Sequence, residues 1–404
     1  MKEVVIHIGT HKTGTSSIQH ALRGYKDETT RVASFEEENH SIPIFTIFSE
    51  NRYHYHIWRK LNLDTDAIDA RRAEYLDILE ADLADDRYDR LIISGEDISI
   101  LTPSEKSNLI RHIKSKGVDV SVIVFTRSPM GFACSASQQR AKGGAKTWTP
   151  VNVNYRYKID PFLEELGRQK IVVCDYDYII NSDQSVVDYF SDLVGINLRA
   201  KESKNESVSV QALALIYKVN NIPLAVLGDV RKWKIRQKLV AMIIEIFPPI
   251  PASSRLNPDH FSSLLDPTTK DDCLWLESIF GISYRYHVEV EDDLNAWLEE
   301  SLSDYQNQLS ELFSKFGTSY DPKRSLEENF LEAFFALFIH ENGLFDSDAE
   351  YLLDVAEKIV AKADLETRDA LSLMKLASRA RPGEQSIRQR IDQLSLATDP
   401  THQK

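Results

Sequence analysis

The chain has 404 residues, 42% hydrophobic and 27% charged, which is ordinary for a folded globular protein and longer than one compact domain of usual size requires. Its formal net charge of −14 argues against a nucleic-acid binder, which shows a basic face. It leaves room for a local anion site made of backbone N–H groups and a few cations. The three cysteines, Cys134, Cys174 and Cys273, are far apart and lack metal-ligand spacing, so a reducing compartment is expected. The first strand starts at Val4, which leaves no room for a signal peptide, and no apolar run has the length of a membrane span. The expected location is cytoplasmic.

Residues Val4–Gly9 (VVIHIG) read as a short buried strand broken only by His7. The run THKTGTS follows, then Ile18, Ala21 and Leu22 at helical spacing, closed by Gly24. The chain therefore opens strand, loop, helix. Residues 30–65 show no period and are rich in histidine and aromatics, among them Tyr53, His54, Tyr55, His56 and Trp58. Ile68, Leu76, Leu79 and Leu83 predict an amphipathic helix over Ala67–Asp86. Leu91–Ser94 reads as a second buried strand ending at Gly95–Glu96, and Ser104–Lys116 as a helix. Val118–Thr126 is a third strand, ending at Arg127, and Ile171–Cys174 a fourth; Val186–Val194 is a helix stopped by Gly195.

Strands alternating with helices imply βαβ units. The expected fold is α/β: a three-layer, P-loop-like parallel sheet flanked by helices, with an all-helical C-terminal extension. Phe247–Pro258 is a proline-rich loop, read as an insertion or lid, and Asp292–Phe316 reads as one long helix. From Asp321 onward three amphipathic segments follow, Ala349–Ala361, Arg368–Ala380 and Glu384–Leu394. They read either as a degenerate tetratricopeptide-type unit or as helices packed on the main domain. The expected division is an α/β domain over 1–320 and a helical extension over 321–404 that offers a surface to a protein partner.

Gly9-Thr10-His11-Lys12-Thr13-Gly14-Thr15-Ser16 has the frame of a P-loop: glycine, four residues, glycine, hydroxyl residues. Thr15 stands where a Walker A loop has its lysine, and the lysine comes earlier, at Lys12. A strand-to-helix loop exposes successive N–H groups at the helix N-terminus, where an anion is favoured. Lys12 adds a positive charge, and Thr13, Thr15, Ser16 and Ser17 add hydroxyls. Arg127-Ser128-Pro129 ends the third strand, and Ser135 lies eight positions after Arg127. A planar guanidinium suits phosphate because it donates two parallel hydrogen bonds.

The run from His7 through Gln19 resembles the 5'-phosphosulfate loop of the sulfotransferases that use 3'-phosphoadenosine 5'-phosphosulfate (PAPS), with its K-[ST]-G-T-[ST] form. Arg127 and Ser135 fit that family's R-[DN]-P-x5-S pattern, whose arginine and serine bind the 3'-phosphate; Ser128 departs from its Asp or Asn. The resemblance covers roughly residues 1–220. It implies that Lys12 touches the oxygen bridging sulfur and phosphorus, that Thr13, Gly14, Thr15, Ser16 and Ser17 cradle the 5'-phosphate, and that Arg127 and Ser135 hold the 3'-phosphate. The implied acceptor is a small molecule or glycan, carbohydrate or glycolipid by family, with no metal required and no nucleic acid as partner.

In that family the base is His or Glu near the two phosphate motifs, and Glu96, at the end of the second strand, is the first candidate. Asp97 reads as a cap of the following turn. His11 either donates to a sulfuryl oxygen or lines the pocket, and His7 reads as a core histidine. His54 and His56 have an H-x-H spacing without a third ligand. Asp175-Tyr176-Asp177-Tyr178 and Asn205-Glu206-Ser207 read either as parts of the nucleotide pocket or as helix caps and turns. Two other classes stay open beside the sulfotransferase: a P-loop kinase or NTPase using ATP and Mg²⁺, and a non-catalytic nucleotide- or partner-binding protein.

Overall fold

The computed structural model describes residues 1–198, 207–222, 229–250, 254–287, 293–303, 305–342, 346–361, 367–381 and 383–398. Its strands are β1 Glu3–His7, β2 Thr30–Val32, β3 Arg90–Ser94, β4 Asp119–Thr126 and β5 Ile171–Asp175. They form a single sheet in the order β2-β3-β1-β4-β5, with every neighbouring pair parallel. β1 is central. The chain builds β3 and β2 on one side of it and then crosses to β4 and β5 on the other. That reversal puts a crevice at the carboxyl ends of β1 and β4, where open α/β sheets bind ligands.

The first nine helices are α1 Thr15–Leu22, α2 Ser41–Phe48, α3 His56–Leu61, α4 Thr65–Ala84, α5 Pro103–Lys114, α6 Pro129–Lys142, α7 Tyr155–Leu166, α8 Tyr176–Ile180 and α9 Val186–Val194. Then come α10 Val210–Asn221, α11 Asp229–Ile246, α12 Thr269–Phe280, α13 Leu294–Glu300, α14 Gln306–Lys315, α15 Leu326–Asn342, α16 Asp346–Ala361, α17 Thr367–Ala380 and α18 Gln385–Thr398. The chain divides into two compact units. One comprises Met1–Ser137, Thr149–Glu206 and Asn257–Asp293; the other comprises Gln138–Trp148, Ser207–Leu256 and Leu294–Lys404.

The first unit has the expected layers. Side chains alternate along β1, so Val4, Ile6 and Ile8 enter one core with α4, α5 and α7, while Val5 enters the other with Ile18 and Leu22 of α1 and Phe190 of α9. Both faces are covered, which is why these strands are nearly continuous apolar runs. Helix starts follow the local chemistry. The Asp64 carboxylate accepts the Ala67 N–H at the head of α4, and Thr102 with Glu105 closes a capping box on α5.

Two sequence expectations are corrected. Residues 30–65 are ordered, with β2, α2 and α3, rather than irregular. α2 (SIPIFTIF) is buried on most sides and so has no polar face to mark a period. The single helix expected over Asp292–Phe316 is two helices, α13 and α14. Turn bonds from Leu302 N to Glu299 O and from Ser303 N to Glu300 O close α13, and the Ser301 hydroxyl bonds the Leu298 carbonyl at 2.7 Å. Serine hydroxyls compete in this way with the helical ladder. Asp292 lies outside the described residues.

The second unit is all helical. α10 is buried along most of its length, and Phe313, Phe316, Phe330 and Phe334 are buried in α14, the residue after it and α15. The three segments expected after residue 345 form α16, α17 and α18.

Candidate functional site

β1 is shorter than β4, and the register pairs its last residue, His7, with Ile123. The loop continues the pairing: Ile8 N–H donates to Ile123 O at 3.1 Å and Thr10 N–H to Phe125 O at 2.7 Å. The chain then turns sharply. Gly9, Lys12 and Gly14 have φ of 76°, 68° and 74°, in the left-handed region that costs a side-chain-bearing residue energy.

The turn settles the roles of the hydroxyls. Thr13 and Thr15 are buried, and both hydroxyls donate to the carbonyl of Thr10. They brace the loop from beneath, so the hydroxyl donors expected of these two residues are committed elsewhere. Ser16 is exposed and Ser17 half-buried. The backbone N–H groups of Thr13, Gly14, Thr15 and Ser16 meet no acceptor among the described residues. Unpaired N–H groups at a helix head are the arrangement that favours an anion.

Arg127 follows β4, next to this loop. Its Nη1 donates to the Lys12 carbonyl at 3.1 Å. Its Nε is buried and lies 3.6 Å from Asp177 Oδ1, beyond hydrogen-bond reach, with no hydrogen-bond partner among the described residues. The guanidinium sits 5.3 Å over the Tyr176 ring. The backbone at this point is pinned, because Tyr155 OH donates to the Arg127 carbonyl and Tyr284 OH bonds Thr126 and Asp175. Asp177 also takes the Ser128 N–H at 2.6 Å. Asp175-Tyr176-Asp177-Tyr178 thus divides its work. Asp175 caps α8, accepting from Asp177 and Tyr178 N–H, while Tyr176 and Asp177 hold Arg127. Ser135 is half-buried on α6. Asn205 and Glu206 lie outside the described residues.

β3 ends on the other side of β1. Glu96 is half-buried and begins a 3-10 turn at the strand's end, and the Cβ position on Gly9 would fall 3.1 Å from Glu96 Cβ. Burial pushes the Glu96 carboxyl up, His11 and Lys12 pull it down, and Asp97 adds to the rise. The neighbouring Asp97 is not the turn cap expected of it. Its Oδ1 lies 2.9 Å from His11 Nε2, and its Oδ2 accepts the Tyr55 hydroxyl at 2.6 Å. Burial raises this carboxyl, but the bonds from His11 and Tyr55 outweigh that and leave it below its ordinary value. Ser41 Oγ accepts the Asp97 N–H at 2.9 Å. The contact needs Gly95, since a Cβ there would stand 2.4 Å from Ser41 N.

Sequence reasoning missed Tyr55 and Ser41 and misassigned Asp97. The available signal was an aromatic tract with no period, followed later by a glycine and two carboxylates at a strand end. His7 is buried as expected, bonded to Ser94 Oγ at 2.8 Å, and burial lowers it to about 3. His56 packs against the Tyr55 ring. Among the described residues no group of three or more His, Cys, Asp or Glu is placed to hold a metal ion. No helix among them is long and apolar enough to cross a membrane.

No protein-family model matches the chain, and no curated protein does. Among solved structures, a sulfotransferase from Alicyclobacillus acidocaldarius aligns with 58% of this chain and 99% of its own, at 12% identity and a TM-score of 0.34. A likeness that distant transfers neither fold nor function.

Proposed function

We propose that the chain is a sulfotransferase that takes a sulfuryl group from PAPS and passes it to a hydroxyl or amine acceptor, carbohydrate or glycolipid in class. The observation that carries this reading is the tie between two anion-binding elements. Arg127 Nη1 is bonded to the Lys12 carbonyl, so a guanidinium stands beside a loop with four N–H groups that meet no acceptor among the described residues. Two such sites on adjacent strand ends suit a ligand with two separated phosphate groups.

The residues present fit the donor. Lys12–Ser17 would hold its 5' end and Arg127, with Ser135, its 3'-phosphate. The donor supplies an activated sulfuryl group on a phosphate leaving group. Lys12 compensates the negative charge that grows on the bridging oxygen, and a cation fixed in place before reaction is an effective stabiliser. Glu96, the candidate from sequence, and His11 are the two groups at this strand end proposed to take the acceptor's proton.

The test is calorimetric titration with adenosine 3',5'-bisphosphate and with ATP, each with and without Mg²⁺. Tight, metal-independent binding of the bisphosphate supports the proposal. Binding of ATP that requires Mg²⁺, with no response to the bisphosphate, refutes it and favours a P-loop kinase. Thr15 at the Walker A lysine position, buried and bonded inward, speaks against that second class.

A further inference from the structure

We propose that His11 is the group that takes the acceptor's proton, and that Asp97 and Tyr55 are positioning residues that fix which ring nitrogen receives it. This rests on the sulfotransferase reading of the same site.

The bonds around Asp97 determine the tautomer. Asp97 is buried, and its carboxylate is bonded on both oxygens, to the Tyr55 hydroxyl at Oδ2 and to His11 Nε2 at Oδ1, while its own backbone N–H donates to Ser41 Oγ. An ionised carboxylate only accepts hydrogen bonds, and the same two side-chain bonds hold this one ionised. Nε2 must therefore carry the proton it shares with Asp97. In the neutral ring Nδ1 is then the basic nitrogen, with its lone pair unprotonated. Tyr55 is itself fixed, buried and stacked on Phe45 with ring centroids 4.4 Å apart. The chain of contacts runs from a packed aromatic through a buried carboxylate to an imidazole in the phosphate loop. A base oriented by a third group is the arrangement by which proteins activate weak nucleophiles.

Glu96 has less to hold it. It is half-buried beside Gly9, and no orienting hydrogen bond to its carboxylate matches the pair that fixes Asp97. Its charge still acts on His11, as the mutual attraction between them shows.

A lone pair of the acceptor oxygen forms the new O–S bond. The bond from sulfur to the bridging oxygen breaks, and its electron pair leaves on adenosine 3',5'-bisphosphate beside Lys12. The acceptor's proton passes to His11 Nδ1 and from there to solvent, while Asp97 balances the imidazolium through Nε2–H. Asp97 is bonded to the ring, Glu96 interacts with it electrostatically, and Tyr55, against which His56 packs, holds the other oxygen of Asp97.

Two measurements on the full chain decide the matter. The first is the hydrolysis of PAPS by water, which takes the acceptor's place, alongside bisphosphate titration. Asp97→Asn can donate its amide to Nε2 and so move the ring proton to Nδ1. We expect it to lower turnover by about 10²–10⁴-fold, the range for a general base lost or mis-set, with bisphosphate affinity within about threefold of wild type. Tyr55→Phe, which keeps the packed ring, should lower turnover by a smaller factor, and Glu96→Gln by less than about tenfold. A large loss in Glu96→Gln with a small one in Asp97→Asn overturns the assignment and leaves the sulfotransferase reading intact. The second measurement is nitrogen-15 NMR of the histidine rings at about pH 9, where ordinary imidazoles are neutral, with the His11 signal identified by its loss in His11→Gln. The proton should sit on Nε2 in wild type and shift toward Nδ1 in Asp97→Asn. A proton on Nδ1 in wild type overturns the inference whether or not the protein turns over PAPS. A wild type that binds no bisphosphate defeats the underlying reading instead.

Discussion

The guanidinium of Arg127 donates to the backbone carbonyl of Lys12 across 3.1 Å, joining two motifs 115 positions apart in the chain. The bond fixes the spacing between loop and guanidinium. It also spends one donor on the protein, while the buried Nε faces Asp177 and Gly131 and has no hydrogen-bond partner among the described residues. Asp177 at 3.6 Å balances part of the charge without forming a hydrogen bond, so the side chain is held without being saturated.

Arg127→Ala should therefore weaken adenosine 3',5'-bisphosphate by roughly 10–100-fold, since a hydrogen bond to a charged group contributes about 1.5–3 kcal/mol. ATP, which has no 3'-phosphate, should lose far less. Parallel titrations of the two nucleotides check this. Equal losses would mean that Arg127 acts only by shaping the Lys12 loop.

Lys12 combines the charge proposed to act on the donor with a strained backbone at φ 68°, and Lys12→Gly separates the two. Glycine accepts that φ without the roughly 1–2 kcal/mol steric cost of a side chain but brings about 0.5–1 kcal/mol of unfolded-state entropy. The unfolding midpoint should stay close to wild type while PAPS turnover falls by about 10²–10³-fold, the scale of losing one preorganised donor at a developing charge. Thermal melts and donor hydrolysis on the same sample test the split. A large drop in the midpoint would show that the lysine is structural.

Gly14 tests the loop's geometry. Its φ is 74°, and a Cβ there would stand 2.8 Å from Val186 Cγ1 at the start of α9. Gly14→Ala must adopt a disfavoured conformation and also displace α9 or α1. A cost of about 1–3 kcal/mol is expected from backbone strain of this kind, together with loss of bisphosphate binding as the N–H cradle tilts. Urea unfolding with and without the bisphosphate measures both.

The second unit has its own keystone. Arg236 donates to the carbonyls of Ala141 and Lys142 and to Asn220 Oδ1, sharing the Ala141 carbonyl with Gly144 N–H and Asn220 Nδ2 at the C-terminal end of α6. Burial lowers its pKa, yet it remains an ordinary charged guanidinium. Arg236→Met keeps the apolar stem and removes the donors. It should destabilise by about 1–3 kcal/mol, the scale of losing hydrogen bonds from a charged group, without changing nucleotide affinity. Hydrogen exchange localised to residues 141–145 would register the loosened end.

What the sequence disclosed follows from how local each signal is. The strands β1, β3, β4 and β5 were visible because a sheet covered on both faces needs uninterrupted apolar runs. The loop and Arg127 were visible because each is a short contiguous pattern. Asp97 was misread because its partners, His11 and Tyr55, are 86 and 42 positions away, and nothing in its neighbours marks a carboxylate that reaches across the strand end. α2 was missed because a helix buried on most sides has no polar face. The outward role expected of Thr13 and Thr15 failed for a similar reason: a hydroxyl in a tight turn finds the Thr10 carbonyl first.

Acid sensitivity gives the last test, and its sign follows from Asp97. The folded protein holds this carboxyl below its ordinary value of 3.8 through the bonds from His11 and Tyr55. A depressed acid contributes stability that is complete above the unfolded value and is lost as pH falls through the lower folded one. Near neutrality Asp97→Asn should then unfold at lower urea concentration than wild type, and the gap should narrow as the pH drops below about 4. Tyr55→Phe, which removes one of the two bonds, should show the same trend with a smaller gap. A difference that stays constant from neutral to acid pH would mean that the carboxylate's charge contributes nothing to holding the His11 loop against the end of β3.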